Sequence, residues 1–224
     1  EYPPYLWNPD LSKKIIHVDF VEAKTDRYYN PAIELVGDIA SSLRLLAPRI
    51  DRRNGDLFRA LRSFLEEKLA APCDMSWPPT PREVVQHVRD AMAHDDIVTL
   101  DNGIYKLWFS RLYRTYKPNT FILDNALATM GAGLPAAIAA KLVHHERKVL
   151  AVVGDGGFMM NAQELETAVR LNLPVVILIL NDNAFGFIKW KQQNMGFRSF
   201  GLDYTNPDFA KFAEAHGAVG MKLE

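Results

Sequence analysis

From Thr80 onward, short apolar runs of strand length alternate with stretches whose apolar residues recur every three or four positions. The runs at 97–100, 148–153 and 174–180 predict buried strands. Helical periodicity predicts helices over about 80–93, 104–113, 131–143, 162–171 and 207–216. Thr80-Pro81-Arg82-Glu83 sets an N-cap threonine, a first-turn proline and an N3 glutamate at the start of the first helix. Strands and helices alternating at these spacings imply parallel strands joined by crossover helices. The expected fold class is α/β, an open parallel sheet flanked by helices.

The first 79 residues have another texture. Residues 13–19 and 33–36 read as short strands separated by an Asn30-Pro31 turn, and Asp38 is placed to cap a helix over 39–46. Residues 51–79 read as a linker: a charged, glycine-interrupted stretch, a helix-like run over 57–69, then Pro72, Pro78 and Pro79. The expected division is therefore 1–50, the tail of a second α/β domain, 51–79, a linker, and 80–224, the main domain. Residues 1–50 hold too few elements to close a core, and 219–224 read as the start of a strand. The chain thus reads as part of a longer protein.

Composition narrows the function classes. The 224 residues are 48% hydrophobic with a net charge of -1, so a globular core is expected and no long-range field draws the chain to nucleic acid or a membrane. Cys73 is the only cysteine, which rules out an internal disulfide. The first five residues lack the basic and apolar regions of a signal peptide, and the longest apolar run, 173–180, suits a strand rather than a bilayer span. A soluble cytoplasmic protein is expected.

The candidate chemistry sits at two strand ends. Gly154-Asp155-Gly156, with Gly157 behind it, follows the strand at 148–153, and Asn181-Asp182-Asn183 follows the strand at 174–180. Twenty-four residues separate Gly156 from Asn181, room for one helix and one return strand. Parallel strands of one βαβ unit end on the same sheet edge, so Asp155 and Asp182 are expected close together. Two unpaired carboxylates there repel, and a hard divalent cation such as Mg²⁺ removes the conflict while accepting phosphate oxygens. Each tripeptide alone is a common turn; the pair at this spacing is what favours a cation.

The stretch GDGGFMMNAQELETAVRLNLPVVILILNDN resembles the thiamine diphosphate motif, and residues 128–137 resemble the segment before it in acetolactate synthases. EYPPYLWN, residues 13–40 and the start at TPREVV resemble the central domain and linker of the catabolic form of that family. The resemblance implies thiamine diphosphate and Mg²⁺ as cofactors. FAD belongs to the biosynthetic relatives and is not favoured, because residues 15–38 resemble the catabolic form.

By position, the resemblance makes Asp155, Asp182 and the Ala184 carbonyl the metal ligands. Asp182 stands where most relatives carry Asn. Met130 would support the bent cofactor and the Ala128 carbonyl would accept from its amino group. Asn102, Gly103, Ile104, Tyr105, Gly154, Gly156, Gly157, Phe185 and Gly186 complete the implied cofactor contacts. Ile104-Tyr105 replaces the Gln-His of biosynthetic relatives, which leaves backbone N–H groups as the expected donors there. Phe187 and Trp190, one helical turn apart, would line the substrate pocket or serve as core aromatics.

The implied reaction is decarboxylation of pyruvate and condensation with a second 2-keto acid to give 2-acetolactate, in a homodimer or homotetramer with its active site at a subunit interface. The activating glutamate is implied to lie in a separate pyrimidine-binding domain of the partner subunit. No catalytic side chain is therefore expected within these residues, which alone are expected to be inactive. Another thiamine diphosphate carboligase or 2-keto acid decarboxylase, such as a glyoxylate carboligase, would keep the same cofactor residues. A non-catalytic module that retained the fold is the remaining alternative.

Overall fold

The computed structural model describes residues 3–50, 55–70 and 77–223, which divide into compact units within Glu1–Glu67 and Lys68–Glu224. The expected linker residues 51–54 and 71–76, including Pro72, lie outside the described residues.

In the first unit, helix α1 (Pro4–Trp7) precedes strands β1 (Ile16–Asp19) and β2 (Ile33–Val36), which pair in parallel with Ile16 opposite Ile33. Helix α2 (Ile39–Leu46) is capped by Asp38, whose carboxylate accepts the Ser41 N–H at 2.7 Å. Helix α3 (Asp56–Ala70) follows.

The second unit opens with helix α4 (Pro81–Ala91), held at its start by the complete Thr80/Glu83 capping box. Strand β3 (Ile97–Leu100), helix α5 (Lys106–Leu112), strand β4 (Phe121–Leu123), helix α6 (Gly133–Val143) and strand β5 (Val149–Gly154) come next. Helices α7 (Asp155–Met160) and α8 (Glu164–Arg170), strand β6 (Val175–Leu180), and helices α9 (Gly186–Asn194) and α10 (Phe209–Ala215) complete it. The sheet is parallel throughout, in the order β4-β3-β5-β6.

Both sheet faces are covered, which explains the near-continuous apolar strands. Ile97, Val149, Ala151 and Val153 point to one side, against Leu134, Ala137 and Ile138 of α6 and Ala168 of α8. Val98, Leu100, Leu150 and Val152 point to the other, against Val85 and Val88 of α4 and Phe109 of α5. Each valine, leucine, isoleucine or phenylalanine among them contributes roughly 1.5–3 kcal/mol when taken fully out of water.

Three elements differ from the pattern read along the chain. Gly154 to Gly157 reads as an open turn, but residues from Asp155 on form α7, because burial of Phe158 against Phe209 and Phe212 outweighs the low helix propensity of glycine. No side chain caps the start of α8, and the amide of the preceding Asn161 donates to Gly131 O at 2.8 Å. Residues 219–223 form no strand.

Candidate functional site

The chain leaves β3 toward β4 on one side, then returns to place β5 on the other side of β3. That reversal opens a crevice beyond the carboxyl ends of β3 and β5, the place where open α/β sheets bind ligands. Asn102 and Gly103 follow β3, and Gly154 and Asp155 follow β5. β6 lies directly beside β5, with Gly154 opposite Leu180, so Asn181 and Asp182 leave the sheet next to Asp155.

Asp155 is 2% exposed and fully engaged. Its Oδ1 accepts the Gly156 N–H at 2.8 Å and the Tyr204 hydroxyl at 2.9 Å. Its Oδ2 accepts the Asn183 N–H at 2.7 Å and the Asn206 amide at 2.6 Å. Asp182 accepts the Ala184 N–H at 3.2 Å, and burial, reinforced by the neighbouring Asp155 charge, pushes its carboxyl above the usual range. The turn between them relies on Asn183 at φ 55, a left-handed conformation that asparagine tolerates. An antiparallel bridge pairs Ala184 with Asp203 and ties the turn to residues 202–204.

This donor set fits a small hard cation. Two carboxylates whose charges conflict, one of them pushed toward protonation, are relieved by a divalent ion. Among the described residues no group of three His, Cys, Asp or Glu side chains could hold a metal. A cation at Asp155 and Asp182 therefore needs further oxygens, such as the Ala184 carbonyl and the ligand's own phosphate.

A second group of contacts shapes the loop over 124–133. The buried Asp101 carboxylate accepts the Gly131 N–H at 2.9 Å through each oxygen and the Asn102 N–H at 2.6 Å. Burial pushes the Asp101 carboxyl up, with the N–H bonds around it pulling the other way. The Asn102 amide donates to Asp124 O at 3.1 Å and Thr129 O at 2.9 Å, and Lys106 Nζ donates to Asn102 Oδ1 at 2.7 Å. These bonds hold Ala128 at φ 52. That left-handed conformation costs an alanine roughly 1–2 kcal/mol.

Tyr105 uses its side chain on the protein itself. Its hydroxyl accepts the Gly154 N–H at 2.8 Å, and its ring lies over Gly103 and Gly154, where a Cβ on Gly154 would sit 3.0 Å from the ring. Burial, with the nearby Asp101 charge, pushes the Tyr105 phenol well up. A cleft of about 730 Å³ opens above these groups. Asn102, Gly103, Ile104, Tyr105, Ala128, Met130, Gly154, Asp155, Gly156, Gly157, Asp182, Ala184, Phe185, Gly186 and Phe187 all line it. Trp190 does not. It stacks on Phe187 with centroids 5.7 Å apart and remains 47% exposed, while Lys191, 4.9 Å above the Phe187 ring, takes the position on the cleft wall.

Asp101, Asn161, Tyr204 and Asn206 belong to the site and carry no sequence signal that singles them out. Tyr204 and Asn206 lie about 50 residues from Asp155, and only the fold brings them together.

The family described as thiamine pyrophosphate enzyme, C-terminal TPP binding domain, matches residues 101–224. Acetolactate synthase of Bacillus subtilis is 37% identical over 100% of the chain and 40% of its own length. Catabolic acetolactate synthase of Raoultella terrigena is 35% identical over 100% of the chain and 41% of its length. The putative thiamine pyrophosphate-containing protein YdaP of Bacillus subtilis is 36% identical over 99% of the chain and 39% of its length. The chain spans about two fifths of the length of these relatives.

Proposed function

Because the chain belongs to the thiamine pyrophosphate enzymes, we propose that its cleft is the metal-and-diphosphate half of an acetolactate synthase active site. The observation that carries the reading is the nearness of Asp155 and Asp182 at the ends of adjacent strands, with the Tyr204 hydroxyl reaching both Asp155 Oδ1 and the Ala184 carbonyl beside them.

In this reading Asp155, Asp182 and the Ala184 carbonyl hold Mg²⁺, which neutralises the cofactor's diphosphate. Ala128 and Met130 face the cofactor rings from the loop that Asp101 and Asn102 hold. Phe187, Ile104 and the Tyr105 ring give the cleft an apolar wall that keeps water from the reacting carbon. Bound there, thiamine diphosphate supplies a nucleophilic carbon and an electron sink for decarboxylating a 2-keto acid. The proposed substrates are pyruvate as donor and a second 2-keto acid as acceptor. The activating glutamate is assigned to a pyrimidine-binding domain of a partner subunit, so residues 1–224 alone are expected to be inactive.

Product analysis on the full-length enzyme tests the assignment. With pyruvate, thiamine diphosphate and Mg²⁺ it should release 2-acetolactate and carbon dioxide. Acetaldehyde in place of acetolactate would assign a decarboxylase, and no turnover of any 2-keto acid would favour a non-catalytic module.

A further inference from the structure

We propose that the Tyr204 hydroxyl stands in for the cation in the unloaded site and is displaced when metal and diphosphate arrive. The inference rests on the reading of Asp155 and Ala184 as cation ligands. One hydroxyl oxygen lies 2.9 Å from Asp155 Oδ1 and 3.2 Å from the Ala184 carbonyl oxygen, on two of the three groups that reading assigns to the metal. A phenol offers one proton, and both neighbours are acceptors. The hydroxyl proton thus meets the need a cation would meet, partial positive charge facing converging oxygens.

The hydroxyl takes a position that the cation's own ligands would need, because neighbouring oxygens in an octahedral shell lie about 3 Å apart. A magnesium ion sits about 2.0–2.1 Å from its ligands in a near-ideal octahedron, and its remaining positions take water or phosphate oxygens. A hydroxyl within hydrogen-bonding distance of both protein ligands stands in that shell with its O–H dipole turned the wrong way for a cation.

Displacement needs little movement of the main chain. The Tyr204 N–H donates to Asn183 O at 3.1 Å and the Phe185 N–H to Leu202 O at 3.0 Å, which pins the backbone to the turn. The ring is only partly buried and lies tilted on Phe185, at 4.9 Å between centroids. Rotation about the Cα–Cβ bond toward solvent would clear the site. Asn206, on the other carboxylate oxygen, would hold Asp155 in place throughout.

Tyr204→Phe in the full-length enzyme separates this role from an ordinary structural one. The variant removes a bond made only in the unloaded state. It should therefore lower the melting temperature in EDTA, leave that of the Mg²⁺–thiamine diphosphate form unchanged, and tighten the apparent Mg²⁺ affinity roughly tenfold by calorimetry. Equal or weaker Mg²⁺ affinity in Tyr204→Phe would overturn the inference, since it would make the hydroxyl a supporting or ligating group. A second measurement needs no loss of the hydroxyl. With 3-fluorotyrosine at position 204, the ¹⁹F resonance should shift on addition of Mg²⁺ and inorganic pyrophosphate, and an unmoved resonance contradicts displacement. If the unaltered enzyme binds Mg²⁺ and thiamine diphosphate but both Tyr204 results are negative, this inference alone fails; if it binds neither, the proposed function fails with it.

Discussion

The Asn206 amide donates to Asp155 Oδ2 at 2.6 Å, and the same nitrogen reaches Asn181 Oδ1 at 3.0 Å and Asn183 Oδ1 at 3.1 Å. One side chain outside both motif segments thus ties the carboxylate after β5 to the turn after β6. Groups that orient metal ligands in this way typically change metal affinity by roughly 10- to 100-fold when lost. Asn206→Ala should weaken Mg²⁺-dependent thiamine diphosphate binding on that scale, measured by calorimetry, with secondary structure intact by circular dichroism.

Asp182 makes the site pH-sensitive. Its folded pKa lies above the ordinary value of 3.8, so between the two the folded state holds the proton more tightly than the unfolded state does. The stability this gives the metal-free protein is present below the ordinary value and is lost as pH rises through the raised one. Cation binding needs the ionised carboxylate and runs the opposite way, strengthening over the same interval. Asp182→Asn keeps an oxygen donor and removes the charge conflict. Mg²⁺ titrations from about pH 4 to about pH 7 should therefore show a steep affinity rise in the unaltered protein and a flatter one in the variant.

Asp101 acts on the loop over 124–133 rather than on the Asp155–Asp182 pair. In Asp101→Asn the side-chain amide must turn an N–H toward a donor, the Gly131 or the Asn102 N–H, and leaving such a buried group unpaired costs roughly 1–3 kcal/mol. The variant should bind thiamine diphosphate more weakly while keeping its affinity for Mg²⁺ with inorganic pyrophosphate, which does not use the loop. Equal losses for the two ligands would remove the distinction.

Gly157 has no room for a side chain, because a Cβ would lie 2.6 Å from Asp101 Oδ2. Gly157→Ala should destabilise the fold by about 1–3 kcal/mol in denaturant unfolding. Gly37, with no atom within 4 Å of a Cβ, is the control. Gly37→Ala should change stability by less than about 0.5 kcal/mol.

The parallel sheet was legible because β3, β5 and β6 are apolar runs bounded by polar turns, and α4 because its capping box is local. The nearness of Asp155 and Asp182 was legible for the same reason: one βαβ connection places both on one edge. β4 has three residues and no alternation of its own, and α7 is built from glycines that only tertiary burial holds in a helix. The resemblance makes Asn102 a cofactor contact, and nothing in the sequence signals that its side chain also pins the loop at Asp124 and Thr129. Tyr204 and Asn206 follow α9 in a segment with no motif, and their distances to Asp155 exist only after α9 folds the chain back.

The proposed function requires Asp155 to join a metal-bound diphosphate to this cleft. Calorimetric titration of thiamine diphosphate into the full-length protein, with Mg²⁺ and then with EDTA, against Asp155→Ala, tests that directly. Saturable binding that requires Mg²⁺ and is abolished in Asp155→Ala is the predicted result. Binding that survives EDTA, or is unimpaired in Asp155→Ala, would contradict it.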